Sequence, residues 1–206
     1  MAAAGIVVAV GAATAAILLA VASGSSGNGA PTVLATPSGG GPAEQVSESD
    51  FCFVESMIFY RVEATGIGGV ILDTEGISPE ARAVAADLVA EQEDELVELR
   101  ERYVAWSDAR PLERPEGGPC AGHGAHADMP GVPTWGERSD LADATGAEAE
   151  TLYVTLMRAH IAGVIDLAAT TLQGDPNSVV RATAENAISQ GERDAAAMAA
   201  LPGAGP

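Results

Sequence analysis

The stretch Phe53-Val54-Glu55-Ser56-Met57-Ile58-Phe59-Tyr60-Arg61 decides the fold, because it returns about 99 positions later as Leu152-Tyr153-Val154-Thr155-Leu156-Met157-Arg158-Ala159-His160. Phe53, Met57, Tyr60 and, one turn further, Ala64 stand at i, i+4, i+7 and i+11, which places them on one face of a helix. Two landmarks repeat at nearly the same offset: Pro79 with Pro176, about 97 apart, and Gln92 with Gln190, about 98 apart. Near-constant offsets predict two copies of a helical hairpin. Two hairpins that each hide an apolar stripe predict an all-α four-helix bundle.

Outward from that stretch, Ser47-Glu48-Ser49-Asp50 is rich in capping residues and predicts the start of order, with a first helix over about 50–73. Gly66, Gly68 and Gly69 weaken its second half and permit close packing or a bend. Ser78-Pro79-Glu80 then supplies a capping hydroxyl, a proline at the first helical position and an acid in the first turn. The second helix is expected to reach about Trp106, with Val84, Leu88, Gln92, Leu96, Leu99 and Tyr103 inward and most of its acids outward. Residues 107–138 carry five prolines and several glycines and predict a long loop, followed by a short helical stretch over about 139–145. A third long helix is expected over about 147–172, with Leu152, Leu156, Ala159, Gly163 and Leu167 as its stripe. Asp175-Pro176 is expected to start the fourth, ending near Leu201, with 202–206 as a tail.

Ala2 to Ala22 is an unbroken run of small and apolar residues, long enough as a helix to reach roughly the 30 Å of a bilayer core. Its length favours a retained transmembrane anchor; Ala20-Val21-Ala22 before Ser23 also offers a signal-peptide cleavage site, which would leave a secreted or periplasmic protein. Residues 23–46, mostly Gly, Ser, Pro, Ala and Thr, read as a flexible linker to a domain over 47–201. The first 43 residues hold no charged side chain, so the whole net charge of −19 falls between Glu44 and the C-terminus. Such an acidic domain repels phosphate backbones, which argues against nucleic-acid binding, and it attracts cations or basic partner surfaces. Cys52 and Cys120 are the two cysteines, an even count that suggests a disulfide in an exported protein, with two buried thiols as the alternative.

The domain resembles the ferritin-like family known as domain of unknown function 305, some of whose members are periplasmic copper-binding proteins. That family repeats a hairpin with Asp-x-x-Phe-x-x-x-Met-x-x-His-His-x-x-Ala on its first helix, Gln-x-x-Glu on its second, and often Met-Pro-Gly-Met in the connector. Asp50, Phe53, Met57 and Ala64 match the first motif, Gln92 and Glu95 the second, and Met129-Pro130-Gly131 the connector. The resemblance covers about Ser49 to Leu201 and implies the fold more firmly than the metal chemistry. Tyr60-Arg61 and Ala159-His160 stand where the family has its His-His pairs, and Val132 replaces the last methionine of the connector. Thioether and imidazole are what copper requires, and Arg61 adds a positive charge beside any metal.

Two ligand sets remain as candidates. His160 with Met57 and Met157 is one, although all three also suit a packed core. His123, His126 and Met129, following Cys120, form the other, in a Gly-rich loop whose spacing matches no closed metal site. No nucleophile–base order, phosphate-binding glycine loop, Cys-x-x-Cys or helical Glu-x-x-His is present, so no enzyme and no cofactor are expected. The expected function is an extracytoplasmic, membrane-anchored accessory protein whose partner is an integral membrane assembly, for example a respiratory one. The alternative is a copper-binding or copper-buffering protein with a reduced ligand set.

Overall fold

The computed structural model describes residues 45–107 and 125–202; residues 1–44, which include the expected anchor and most of the expected linker, residues 108–124 with Cys120 and His123, and residues 203–206 lie outside that range. Among the described residues the chain is all-α, with five α-helices and no strand: α1 (Glu48–Asp73), α2 (Pro79–Ser107), α3 (Trp135–Asp143), α4 (Gly146–Gln173) and α5 (Ser178–Ala200). A 3-10 turn, His126–Asp128, precedes α3.

Local chemistry sets the helix ends. Ser47 Oγ accepts from the Asp50 amide at 3.1 Å while the Asp50 carboxylate accepts from the Ser47 amide at 2.8 Å, a capping box over α1. Thr134 and Glu137 repeat the device at α3, and Asn177 caps α5 by accepting from the Val180 amide at 2.9 Å. Gly76 (φ 76) and Gly146 (φ 54) take left-handed conformations that bring the α1–α2 turn against the start of α4. There the Gly146 amide donates to the Glu75 carbonyl at 3.0 Å.

Two buried acids join the hairpins. Asp50 Oδ1, on α1, accepts from the Asn177 amide at 3.0 Å, at the entrance to α5. Glu150, on α4, accepts from the amide and the hydroxyl of Ser78, at the entrance to α2. The first helix of each hairpin therefore holds an anion against the positive end of the other hairpin's second helix.

α1 packs on α2, α4 packs on α5, and α1 lies against α4, whereas α2 and α5 touch little. The stripe expected on α1 is buried throughout: Phe53, Met57, Tyr60 and Ala64 are each 2% exposed or less. On α4 the structure corrects the expectation. Ala159 is exposed and Leu152 and Leu167 are half-buried, while Tyr153, Val154, Met157, His160, Ile161 and Val164 line the interior. α4 keeps Leu156 and Gly163 of the expected stripe buried and exposes Thr151, Thr155, Arg158 and Asp166, so its buried face lies about one residue round the helix from the expected one. It is also the one described helix long and apolar enough to cross a membrane, and half of its most apolar window is buried in this core.

Two starts also differ from expectation. α5 begins at Ser178 behind the Asn177 cap, so Pro176 precedes the helix whereas Pro79 opens α2. The proline offset is thus not a structural equivalence; the buried pair Gln92 and Gln190 is. α3 begins at Trp135, inside the span expected to be loop, because Thr134-Trp135-Gly136-Glu137 is itself a capping box.

Candidate functional site

Arg61 leaves α1 near the middle of the helix and is 4% exposed. Its Nε lies 2.6 Å from a carboxylate oxygen of Glu95 on α2. One Nη donates to Gln190 Oε1 on α5 at 3.5 Å. Burial pulls the guanidinium pKa down, and the charges of Glu95, Asp194 and Glu91 oppose that pull. Burial likewise pushes Glu95 up, with Arg61 opposing. Asp194 is pushed up to about 6, first by burial and then by Glu91, so it titrates close to neutrality. A cation has been placed among the helices with carboxylates around it, and the opposite charges offset part of the cost of each other's burial.

Both candidate methionines flank this guanidinium. Met57 and Arg61 share the wall of a cavity of about 360 Å³, where Arg102 donates to Thr183 Oγ1 at 2.9 Å. Met157 and Arg61 share the wall of a void of about 10 Å³ together with Gln92, Gln190 and Asp194.

The connector Met129-Pro130-Gly131 closes over α4 one turn away. Gly131 has φ 76, and a Cβ there would stand 2.1 Å from the Ala159 carbonyl oxygen. A Cβ on Gly163 would stand 2.0 Å from the Pro130 carbonyl oxygen. Tyr60 Oη donates to that same carbonyl at 2.8 Å, so α1, connector and α4 meet at one point. His160 sits beneath, 1% exposed, edge-on to the Tyr60 ring with centroids 5.2 Å apart. Its ring nitrogens meet the backbone of Tyr60 and Gly131 only in poor hydrogen-bond geometry. Burial and then the positive charge of Arg61 lower its pKa to about 4, against a smaller opposing pull from the backbone of Tyr60 and Gly131. It is a neutral imidazole at ordinary pH.

The loop candidates lie elsewhere. His126 stacks on Phe59 with centroids 5.2 Å apart, and its Nε2 is 3.9 Å from Glu55 Oε1. Met129 is half-buried against the core, and His123 lies outside the described residues. The structure therefore places Met57, Met157 and His160 around Arg61, and His126 apart from them on the outer side of α1. No group of three His, Cys, Asp or Glu side chains converges as a metal site among the described residues. Cys52 is not a free thiol, and Cys120 lies outside the described range. Sequence reasoning missed Asp194 and Glu150, because nothing marks an acid as inward when its neighbours on the same helix are solvated. Glu95 carried a signal, its place in Gln-x-x-Glu.

The comparisons agree with this architecture. The profile of the domain of unknown function DUF305 matches residues 50–201. A protein from Streptomyces coelicolor, named as a secreted DUF305 protein, superposes with a TM-score of 0.64 at 23% identity, covering 73% of this chain and 90% of that one. A DUF305 fragment from Deinococcus radiodurans gives 0.61 at 18% identity, covering 74% and 94%. CopM in its Cu(II)-bound form gives 0.55 at 18% identity, covering 75% and 94%. At these identities the likeness is one of fold. Among curated proteins there is no match.

Proposed function

The chain belongs to the DUF305 family, and on that premise we propose that it is a non-enzymatic, extracytoplasmic interaction module whose internal cation is Arg61 rather than copper. In this reading α1, α2, α4 and α5 form a ferritin-like four-helix bundle, and α3 is an appendage. The Ala2–Ala22 segment holds the domain outside the membrane, and an integral membrane assembly is the partner.

The observation that carries the reading is the 2.6 Å Arg61–Glu95 ion pair inside the first hairpin, its guanidinium buried and turned also toward Gln190 of the second. A copper ion among Met57, Met157 and His160 would have one imidazole, and it would face the same guanidinium that already disfavours a proton on that imidazole. The residues present do not fit the metal. The acidic exterior supports a role in binding a basic partner surface. Cys52 pairs with Cys120 in this account, closing a loop of roughly 70 residues and contributing about 4 kcal/mol through the unfolded state. Extraction of the native chain in mild detergent followed by pull-down is expected to recover a defined complex. A chain that stays a free monomer would count against the proposal.

A copper-buffering role is the second reading, favoured by the fold likeness to CopM and by the His160 nitrogens, which have only poorly aligned backbone partners. Metal analysis of protein from copper-supplemented cells separates the two.

A further inference from the structure

α2 and α5 touch little, yet each carries a buried glutamine at the matching place in its hairpin, Gln92 at 2% and Gln190 at 3% exposure. Both side chains line one internal cavity of about 10 Å³, with Arg61 and Asp194 beside them. The rest of its wall is apolar, Leu88, Met157, Ile161 and Val164 among it. A cavity of that volume takes roughly one water molecule.

Each glutamine has one unmet atom. Gln190 accepts from an Arg61 Nη through Oε1 at 3.5 Å, and its Nε2 has no hydrogen-bond partner among the described residues. Rotating that amide by half a turn would set its NH₂ against the guanidinium, donor to donor, so the oxygen stays toward Arg61. On α2 the unmet atom is Gln92 Oε1. The two do not complete each other, since neither has a bond. One donor and one acceptor are thus left inside the bundle, where each lowers stability until a partner meets it.

Chemistry selects that partner. A cation would sit against the Arg61 guanidinium. An anion would meet the Gln92 oxygen and the Asp194 carboxylate. An apolar group would leave both amides unmet. Water donates and accepts, so it suits both ends at once.

We propose that one ordered water bridges the two hairpins here, accepting from Gln190 Nε2 and donating to Gln92 Oε1 and to the Asp194 carboxylate. Three partners are usual for an internal water. The bridge supplies a contact between second helices that hardly pack on each other, nearly as favourable in enthalpy as a direct hydrogen bond. It is independent of what the domain binds on its outside.

Oxygen-17 relaxation dispersion counts long-lived internal waters, and the test compares the full chain with Gln92→Leu/Gln190→Leu, which removes both polar ends. The double variant is expected to hold one such water fewer. Gln173→Leu, which removes the same amide from an exposed position, should leave the count unchanged. In the unaltered chain, water should cross-relax with the Gln190 side-chain NH₂ with the sign of a tightly held molecule. That measurement decides the matter even if the double variant fails to fold. An equal count in the chain and the double variant, or no cross-relaxation from water to that amide, would overturn the proposal. A scalar coupling across a direct Gln190 Nε2 to Gln92 Oε1 hydrogen bond would overturn it too.

Discussion

Arg61 and His160 occupy matching positions in the two hairpins, both almost fully buried, yet one is a paired cation and the other a neutral ring. The difference lies in the second helices. On α2, Gln92 is followed three residues later by Glu95, which reaches Arg61. On α5, Gln190 is followed three residues later by Arg193, which is exposed and lies 3.4 Å from Glu91. One hairpin has an inward carboxylate and a guanidinium to match it; the other has no carboxylate at that place and holds an uncharged imidazole. A buried site tolerates a charge only where the facing helix supplies its opposite.

The comparison can be broken most forcefully at Glu95. Glu95→Ala leaves Arg61 buried without its closest partner and should cost about 2–4 kcal/mol, somewhat below the roughly 3–5 kcal/mol of a fully buried pair because Glu95 is one-third exposed. Replacing both, Arg61→Leu with Glu95→Leu, should recover most of that loss in urea denaturation. If the single and double variants are equally unstable, the pair is not what keeps the guanidinium inside.

A smaller effect is expected at the connector. Gly163→Ala pushes a methyl into the Pro130 carbonyl and should cost about 1–3 kcal/mol. It should also lift the connector from His160, so that the imidazole titration followed by NMR moves from about 4 toward its ordinary value near 6.5. An unmoved titration would show that the connector does not shield the ring.

The pH dependence sharpens the contrast further. Asp194 binds its proton more tightly folded than unfolded, so its contribution to stability is present below its unfolded pKa of 3.8 and is lost as pH rises toward about 6. His160 binds its proton less tightly folded, so its contribution is present above 6.5 and is lost as pH falls toward about 4. The two slopes oppose each other in the same window. Asp194→Asn should raise the melting temperature near pH 7.5 by about 2–4 °C and should do little at pH 4. That is the shift for roughly 1 kcal/mol in a chain of this size, after discounting for the solvent that reaches the carboxylate. The smallest effect belongs to His160→Leu, which should stay within about 1 kcal/mol at pH 7.5, because a neutral ring with only poorly aligned backbone contacts is replaced by an apolar side chain of similar volume. A large loss there would reveal a bond or ligand on the imidazole.

The fold was legible because the Phe53–Arg61 stretch repeats and because Pro79 and the Ser47 cluster mark helix starts with local chemistry. The stripe on α1 could be read because Phe53, Met57, Tyr60 and Ala64 hold a strict helical spacing. That on α4 was read about one residue off, since Leu152 and Leu167 look as inward as Tyr153 and Met157 until the neighbouring helices choose among them. The candidate site was half legible. Arg61 stood out as a charge in an apolar block, and Glu95 by its motif, but their pairing depends on the lateral position of α2. Asp194 and Glu150 look like any other acid of a chain whose net charge is −19.

The central claim is that a guanidinium holds the place of a metal between the hairpins. Copper competition against a chelator of known affinity, using the purified chain, tests it most directly. The account predicts no stoichiometric copper bound at sub-micromolar affinity, and no change in weak binding when His160 or Met57 is replaced. One copper per chain at sub-micromolar affinity, lost on His160→Leu, would contradict it.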